Sequence, residues 1–353
     1  MLTINERVTA FANLGIQLQS FVSQHFPSSE NQMNNFSGLE NAVRQSIYAN
    51  KWFTNVSITQ SLYGIIKMLE KDKLNQWVGK YDLKYNSSNK VVAVIMAGNI
   101  PLVGFHDFLS VLISGNTFLG KLSSDDALLL PAIAEILLII QPKFEPFIRF
   151  TLEKIKDIDA VIATGSNNTA RYFEYYFGKY PHIIRKNRNS IAILSGDETA
   201  ADMVELADDI FMYYGLGCRN VSKLYIPSSF DLKLLLAHFE GYERVKNHSG
   251  YFNNYEYNKA IYLINSVPHL DNGFLIVKED KSLTSPVAVL HFERYSDIDT
   301  LAELLQTHTD QIQCIVSKKG QWDGSFPFGA AQYPEVNDYA DGVDTLQFLS
   351  QLK

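Results

Sequence analysis

The stretch Val91-Val92-Ala93-Val94-Ile95-Met96-Ala97-Gly98-Asn99-Ile100-Pro101 opens on an unbroken apolar run and closes on a turn. An unbroken run of this kind, rich in β-branched residues, reads as a strand covered on both faces, as parallel sheets require. Pro101 sits where a helix can start, since its missing N–H costs nothing there, and Gly115 sits where that helix can end. Downstream, Asn116–Leu122 reads as a second strand and Asp125–Gln141 as a second helix. Asp159–Ala163 reads as a third strand, followed by a helix from about Asn167 to Phe177. Strands alternating with helices imply a mostly parallel sheet with helices on its faces, an α/β fold.

Working outward, Thr3 and Glu6 have the spacing of a capping box. Val8, Phe11, Leu14, Leu18 and Phe21 then recur at helical spacing, as do Ile58, Leu62, Ile65 and Leu69. The polar segment Lys71–Lys90 breaks the pattern, and its Asn86-Ser87-Ser88-Asn89 reads as a turn. Beyond Ser190, Ile191–Leu194, Ser222–Ile226, Phe274–Val277, Val287–Leu290 and Ile312–Val316 read as strands. Glu198–Tyr214 and Ile298–His308 read as helices. No repeat or long linker separates these parts, so the domain boundary is a tight crossing near residues 186–196. The expected division is a helical region plus α/β domain over 1–189, a second α/β domain over 190–329, and a tail over 330–353.

The chain has 353 residues, 46% of them hydrophobic and 20% charged, ample for two buried cores. A net charge of −7 without any Lys/Arg-rich run argues against nucleic acid or anionic membranes as partners. Two distant cysteines cannot build a disulfide framework, and Met1–Glu6 lacks a signal-peptide pattern, so the expected compartment is the cytoplasm. The longest apolar stretch, Ala127–Ile140, contains Pro131 and Glu135 and is too short to span a bilayer. The eight histidines form no HExxH pattern, and no metal site is expected.

Five places could carry chemistry. Cys218 follows two glycines in Tyr214-Gly215-Leu216-Gly217-Cys218-Arg219-Asn220, where the backbone can approach a ligand and Arg219 can favour the thiolate. Its bland alternative is a small buried residue in a turn. Cys314, inside Ile312–Val316, reads as core. Asn99 follows a buried strand, where its amide can donate to an oxyanion; the alternative is a helix cap. Thr164-Gly165-Ser166-Asn167 opens a helix whose N–H groups attract phosphate, or is an ordinary turn. Lys121 ends a strand, facing either a nucleotide or solvent. His248 reads as a loop histidine.

Taken in order, these pieces resemble the aldehyde dehydrogenase superfamily. Its Asn-x-Pro turn, small-Gly-Asn-Thr strand ending in Lys, Thr-Gly-Ser turn and Gly-rich Cys turn correspond to Asn99-Ile100-Pro101, Ser114-Gly115-Asn116-Thr117 through Lys121, Thr164-Gly165-Ser166, and Gly217-Cys218. The resemblance implies an aldehyde dehydrogenase-like fold: a Rossmann-type cofactor domain plus an α/β catalytic domain. It implies Cys218 and Asn99 as catalytic residues and Lys121, Ser123, Ser124, Gly165 and Ser166 as cofactor-binding residues.

The departures narrow the chemistry. Where oxidising members carry Glu-Leu-Gly-Gly with a water-activating Glu, this chain has Arg185-Lys186-Asn187-Arg188-Asn189-Ser190. Without that base an acyl-enzyme resists hydrolysis, which suits a reductase. Lys-Pro-Ser-Glu becomes Lys121-Leu122-Ser123-Ser124, removing the carboxylate that repels a 2′-phosphate, so NADPH is expected over NADH. The later Glu-x-x-Gly-Pro motif becomes Ser282-Leu283-Thr284-Ser285-Pro286, so the nicotinamide ribose is held differently. With Gly-Asn-Ile-Pro and Gly-Cys-Arg-Asn-Val-Ser, the chain looks like the LuxC-type acyl-CoA reductases. That family implies NADPH-dependent reduction of an acyl-CoA or acyl-protein thioester to a fatty aldehyde. It also implies a homo-oligomer or an acyltransferase or synthetase partner subunit, with Gly342–Leu349 as a late pairing strand. The rival readings are another reductase of the same fold acting on acyl phosphates, a Cys218 acyltransferase or thioesterase without redox chemistry, and a non-catalytic protein that keeps only the fold.

Overall fold

A computed structural model describes residues 2–25, 36–83 and 89–352. The chain forms two compact units, one of residues 1–187 with 334–353 and one of residues 188–333.

The first unit begins with four helices, α1 (Ile4–His25), α2 (Ser37–Ala49), α3 (Asn55–Met68) and α4 (Lys71–Val78). The Thr3–Glu6 capping box is formed: Glu6 N–H donates to Thr3 Oγ1 at 3.2 Å, and Thr3 N–H donates to Glu6 Oε2 at 2.7 Å. The helical stripes read from the sequence are the buried faces of α1 and α3, which pack on each other. Residues 86–88 of the expected turn lie outside the described residues.

Then follow β1 (Val91–Ile95), α5 (Phe105–Ser114), β2 (Thr117–Lys121), α6 (Leu129–Ile140), β3 (Ile148–Thr151), β4 (Ala160–Thr164), α7 (Asn167–Phe177) and β5 (His182–Arg185). The sheet order is β3-β2-β1-β4-β5, and every pairing is parallel. β1 lies in the middle, which is why Val92, Ala93 and Val94 are buried on both faces. The order reverses between β1 and β4, the switch point of a doubly wound sheet.

The second unit carries β6 (Asn189–Ile193), α8 (Ala200–Phe211), β7 (Val221–Pro227), α9 (Leu232–His238), α10 (Ser249–Ile264), β8 (Leu270–Asp271), β9 (Ile276–Glu279), β10 (Val289–Tyr295), α11 (Ile298–Gln306), β11 (Ile312–Ser317) and β12 (Phe326–Pro327). Its seven-stranded sheet runs β12-β11-β6-β7-β10-β9-β8. Only β8 and β9 pair antiparallel.

Several expectations are corrected. The helix expected from Pro101 starts at Phe105, because Leu102 adopts a left-handed φ of 64° that no helix tolerates. The helix expected from Asp125 starts at Leu129, since 123–126 is a tight turn in which Asp126 N–H donates to Ser123 O at 3.2 Å. The expected helix 198–214 ends at Phe211, and Tyr213 and Tyr214 are left-handed. The late strand expected over 342–349 is instead helical: α12 (Thr345–Ser350) is capped by the Asp344 side chain and packs on α5. The sequence reading omits α2, β3, β5, α9, α10 and the two-residue strands β8 and β12, and the polar segment it places at 71–90 begins with the helix α4. Among the described residues no helix is long and apolar enough to cross a membrane.

Candidate active site

In the first unit the residues expected to hold a cofactor lie at the carboxyl ends of β2 (Lys121, Ser123, Ser124) and β4 (Gly165, Ser166), and Asn99 follows β1. The loop from β1 to α5 is tied down from three sides. Asn50 Nδ2 donates to Gly98 O at 3.3 Å and to Asp125 O at 3.1 Å. Ser61 Oγ donates to Pro101 O at 3.0 Å. Leu102 N–H, in its left-handed conformation, donates to Asp126 Oδ2 at 2.8 Å. Burial pushes the Asp126 carboxyl up to about 6, with the Leu102 N–H opposing it. A Cβ on Gly98 would stand 2.6 Å from Ser123 Oγ and 2.9 Å from Asp125 Cβ. Glycine therefore lets the β1 loop lie against the β2 loop, bringing Asn99 and Ser123 into neighbouring turns.

Asn99 is exposed and is not the helix cap; Gly104 is. Lys121 Nζ donates to Leu152 O, at the end of β3. Ser123 Oγ accepts from Asp125 N–H at 3.2 Å, and Ser124 is exposed. After β4, Gly165 leads into α7, whose cap is Ser166: its Oγ accepts Thr169 N–H at 3.2 Å. The structure thus brings Asn99, Lys121, Ser123, Ser124, Gly165 and Ser166 to the carboxyl ends of the three central strands of one sheet.

Cys218 belongs to the second unit. It is an exposed residue, while Cys314 is buried in β11. The approach to Cys218 is a strained turn. Tyr213 (φ 52°), Tyr214 (φ 59°) and Gly215 (φ 75°) are successive left-handed residues, a conformation costly for two tyrosines. Asn220 compensates. Buried beneath the turn, it accepts Gly217 N–H at 2.8 Å, and its amide donates to Met212 O at 2.8 Å and Asp209 O at 3.1 Å. One side chain thereby locks the end of α8 to the residue before the cysteine.

Arg219 does not stand alone beside the thiol. Its Nε donates to Ala331 O, and its guanidinium lies 4.9 Å from the Phe326 ring centroid. Asp209, buried at the end of α8, accepts Gly329 N–H at 2.7 Å and Ala331 N–H at 3.0 Å. Burial pushes the Asp209 carboxyl up to about 7, against those two bonds and Arg219. His248, expected in a loop, caps α10: its Nδ1 accepts Tyr251 N–H at 3.2 Å. Its ring lies 4.2 Å, centroid to centroid, from that of Tyr214. Sequence reasoning missed Asn220, Asp209 and Asp126. Only Asn220 left a signal, as a turn-forming residue two places past the cysteine.

Comparison with known proteins bears on the fold and the family. Solved structures with the same fold include the aldehyde dehydrogenase KauB from Pseudomonas aeruginosa, at 12% identity, 90% of this chain, 72% of that one and a TM-score of 0.62. An NAD+ complex of an aldehyde dehydrogenase from Bacillus cereus matches at 13% identity, 90% and 72% coverage and a TM-score of 0.63. The NADP-dependent glyceraldehyde-3-phosphate dehydrogenase from Bacillus halodurans, complexed with NADP, matches at 13% identity, 90% and 74% coverage and a TM-score of 0.59. At such identities the likeness shows the fold alone. Among curated proteins none matches the chain in sequence. The family model described as acyl-CoA reductase (LuxC) matches residues 29–233, a span that takes in the whole first sheet, the Asn99 and Ser166 turns and Cys218. With more than half its length so matched, the chain belongs to the LuxC acyl-CoA reductase family of oxidoreductases.

Proposed function

We propose that this chain reduces a fatty acyl-CoA, or an equivalent acyl-protein thioester, to the fatty aldehyde through an acyl-enzyme on Cys218. The observation that carries the reading is the exposed cysteine, Cys218, on a turn that the buried Asn220 clamps. In the first half-reaction the Cys218 thiolate adds to the thioester carbonyl carbon, and the carbonyl electron pair moves onto oxygen. The Asn99 amide, by its motif, and the Cys218 backbone N–H donate to that oxyanion. Collapse expels the coenzyme A thiolate, which takes up a proton, and leaves the acyl group on Sγ.

A nicotinamide cofactor fits the first unit. The donor set is one ammonium (Lys121), the hydroxyls of Ser123 and Ser124, and the opening of the 11-residue helix α7 after Gly165-Ser166. Lys121 spends one donor on Leu152 O and keeps two for phosphate. When bound, the cofactor supplies the hydride that reduces the acyl carbon. Sγ then departs as thiolate when the aldehyde carbonyl forms. Absence of a carboxylate at Ser124 favours NADPH over NADH. The stretch 185–190 offers no carboxylate base, and Arg185 is itself committed to a buried pair with Asp107 at 2.6 Å. Water therefore competes poorly for the acyl group.

The test is the acyl-CoA-dependent oxidation of NADPH with aldehyde trapped as product. Cys218→Ser should lower the rate at least about a thousandfold. Equal activity in that variant would end the reading.

A further inference from the structure

The turn that carries Cys218 is held from a second side, by β6. Ser190 is fully buried, and its Oγ donates to Cys218 O at 2.9 Å. The same oxygen takes Cys314 N–H at 3.2 Å and lies 3.0 Å from Cys314 Sγ. A hydroxyl has one hydrogen and two lone pairs. Since a carbonyl can only accept, that hydrogen goes to Cys218 O, and the Cys314 thiol must be the donor to Ser190. All three valences of the oxygen are then filled, so the hydroxyl has one orientation.

The sheet is distorted at this point on both sides. The register of β6 against β7 shifts between Ser190 and Ile191, and that of β11 against β6 shifts between Ile312 and Ile315, around Cys314. Bulges beside a site re-aim a side chain. The extra residues lie in β7, between Val221 and Lys223, and in β11, between Ile312 and Ile315, so Ser190 stands on β6 between two bulged neighbours with its hydroxyl on the nucleophile's carbonyl. Asn220 fixes the peptide N–H before Cys218, and Ser190 fixes the peptide C=O after it.

We infer that Ser190, held in orientation by Cys314, is a positioning residue for the Cys218 nucleophile. This rests on the acyl-enzyme reading above and adds to it. The hydroxyl touches neither substrate nor cofactor; it sets the peptide plane from which the sulfur approaches the carbonyl carbon. A misplacement of about 1 Å at such a step costs on the order of a hundredfold in rate.

The test compares two reactions of the same thiol in the full chain. Rapid-quench acylation by acyl-CoA needs the aligned sulfur, whereas alkylation by iodoacetamide needs only an exposed thiolate. Ser190→Ala should slow acylation by about tenfold to a hundredfold. Its KM for acyl-CoA and its alkylation rate should stay within about twofold of wild type, and Ser190→Thr, which keeps the hydroxyl, should recover part of the loss. Should Ser190→Ala fail to fold, Cys314→Ala removes the thiol donor and should show the same selective loss, smaller in size. Acylation and alkylation falling together would make Ser190 a mere structural residue and overturn the inference, as would unchanged acylation in the variant that folds. A wild type that takes up no acyl group overturns the acyl-enzyme reading and this inference with it. A wild type that is acylated normally while Ser190→Ala matches it overturns the inference alone.

Discussion

At the scale of single residues, the two raised carboxyls make a claim about pH. Asp209 is pushed up to about 7 and Asp126 up to about 6, both chiefly by burial, from an ordinary value of 3.8. Each binds a proton in the folded chain at a pH where the unfolded chain has lost it. Their stabilising contribution is therefore complete below about pH 4 and disappears as pH rises through 6 and 7. Urea unfolding should show the protein more stable at pH 5 than at pH 8, by on the order of a few kcal/mol. Asp209→Asn should flatten much of that slope; an unchanged slope would show that Asp209 does not titrate there. Cofactor choice is also a residue-scale matter. Ser124→Glu puts a like charge where a 2′-phosphate would sit, so the ratio of kcat/KM for NADPH to that for NADH should fall at least about tenfold. A ratio that does not move would place the 2′-phosphate elsewhere.

At the scale of elements, what the sequence made legible followed burial. β1, β2 and β4 are central strands covered on both faces, so their apolar runs stand out in the chain. β3 (Ile148–Thr151) and β5 (His182–Arg185) are the edges of the same sheet, four residues each with a charged residue among them, and they carry no such run. The turns were hidden for another reason: Leu102, Tyr213 and Tyr214 are left-handed without being glycine, and nothing in their identity announces it. Of the candidate site, Cys218, Asn99 and the Ser166 turn were visible through their motifs. Their supports Asn220, Asp209, Asp126 and Ser190 were not, because each acts across a fold contact distant in sequence or through a backbone group. Gly98 tests the close approach of two such turns. Gly98→Ala forces a Cβ to within 2.9 Å of Asp125 Cβ, which cannot swing aside. NADPH affinity should fall about tenfold or more while Cys218 alkylation stays at the wild-type rate; unchanged affinity would separate this turn from cofactor binding.

For the whole molecule, the first unit is closed by the end of the chain. Residues 334–353 return to it, and α12 is pinned there by Arg185 Nη2 donating to Thr345 Oγ1 at 2.9 Å and by Asn116 Nδ2 donating to Leu349 O at 3.4 Å. Arg185 also makes a two-point ion pair with Asp107, at 2.6 and 2.9 Å, buried under α12. Breaking a buried pair strands the surviving charge, so Asp107→Ala should cost about 3–5 kcal/mol in urea unfolding. A cost below about 1 kcal/mol would mean that water already reaches this pair.

The most direct test of the chemistry is intact mass spectrometry of the chain mixed with acyl-CoA and then with NADPH. Wild type should gain the mass of one acyl group on Cys218, keep it while NADPH is withheld, and lose it with release of aldehyde once NADPH is added. A chain that never gains the mass, or that sheds it as free acid before NADPH arrives, would contradict a thioester reductase working through this sulfur.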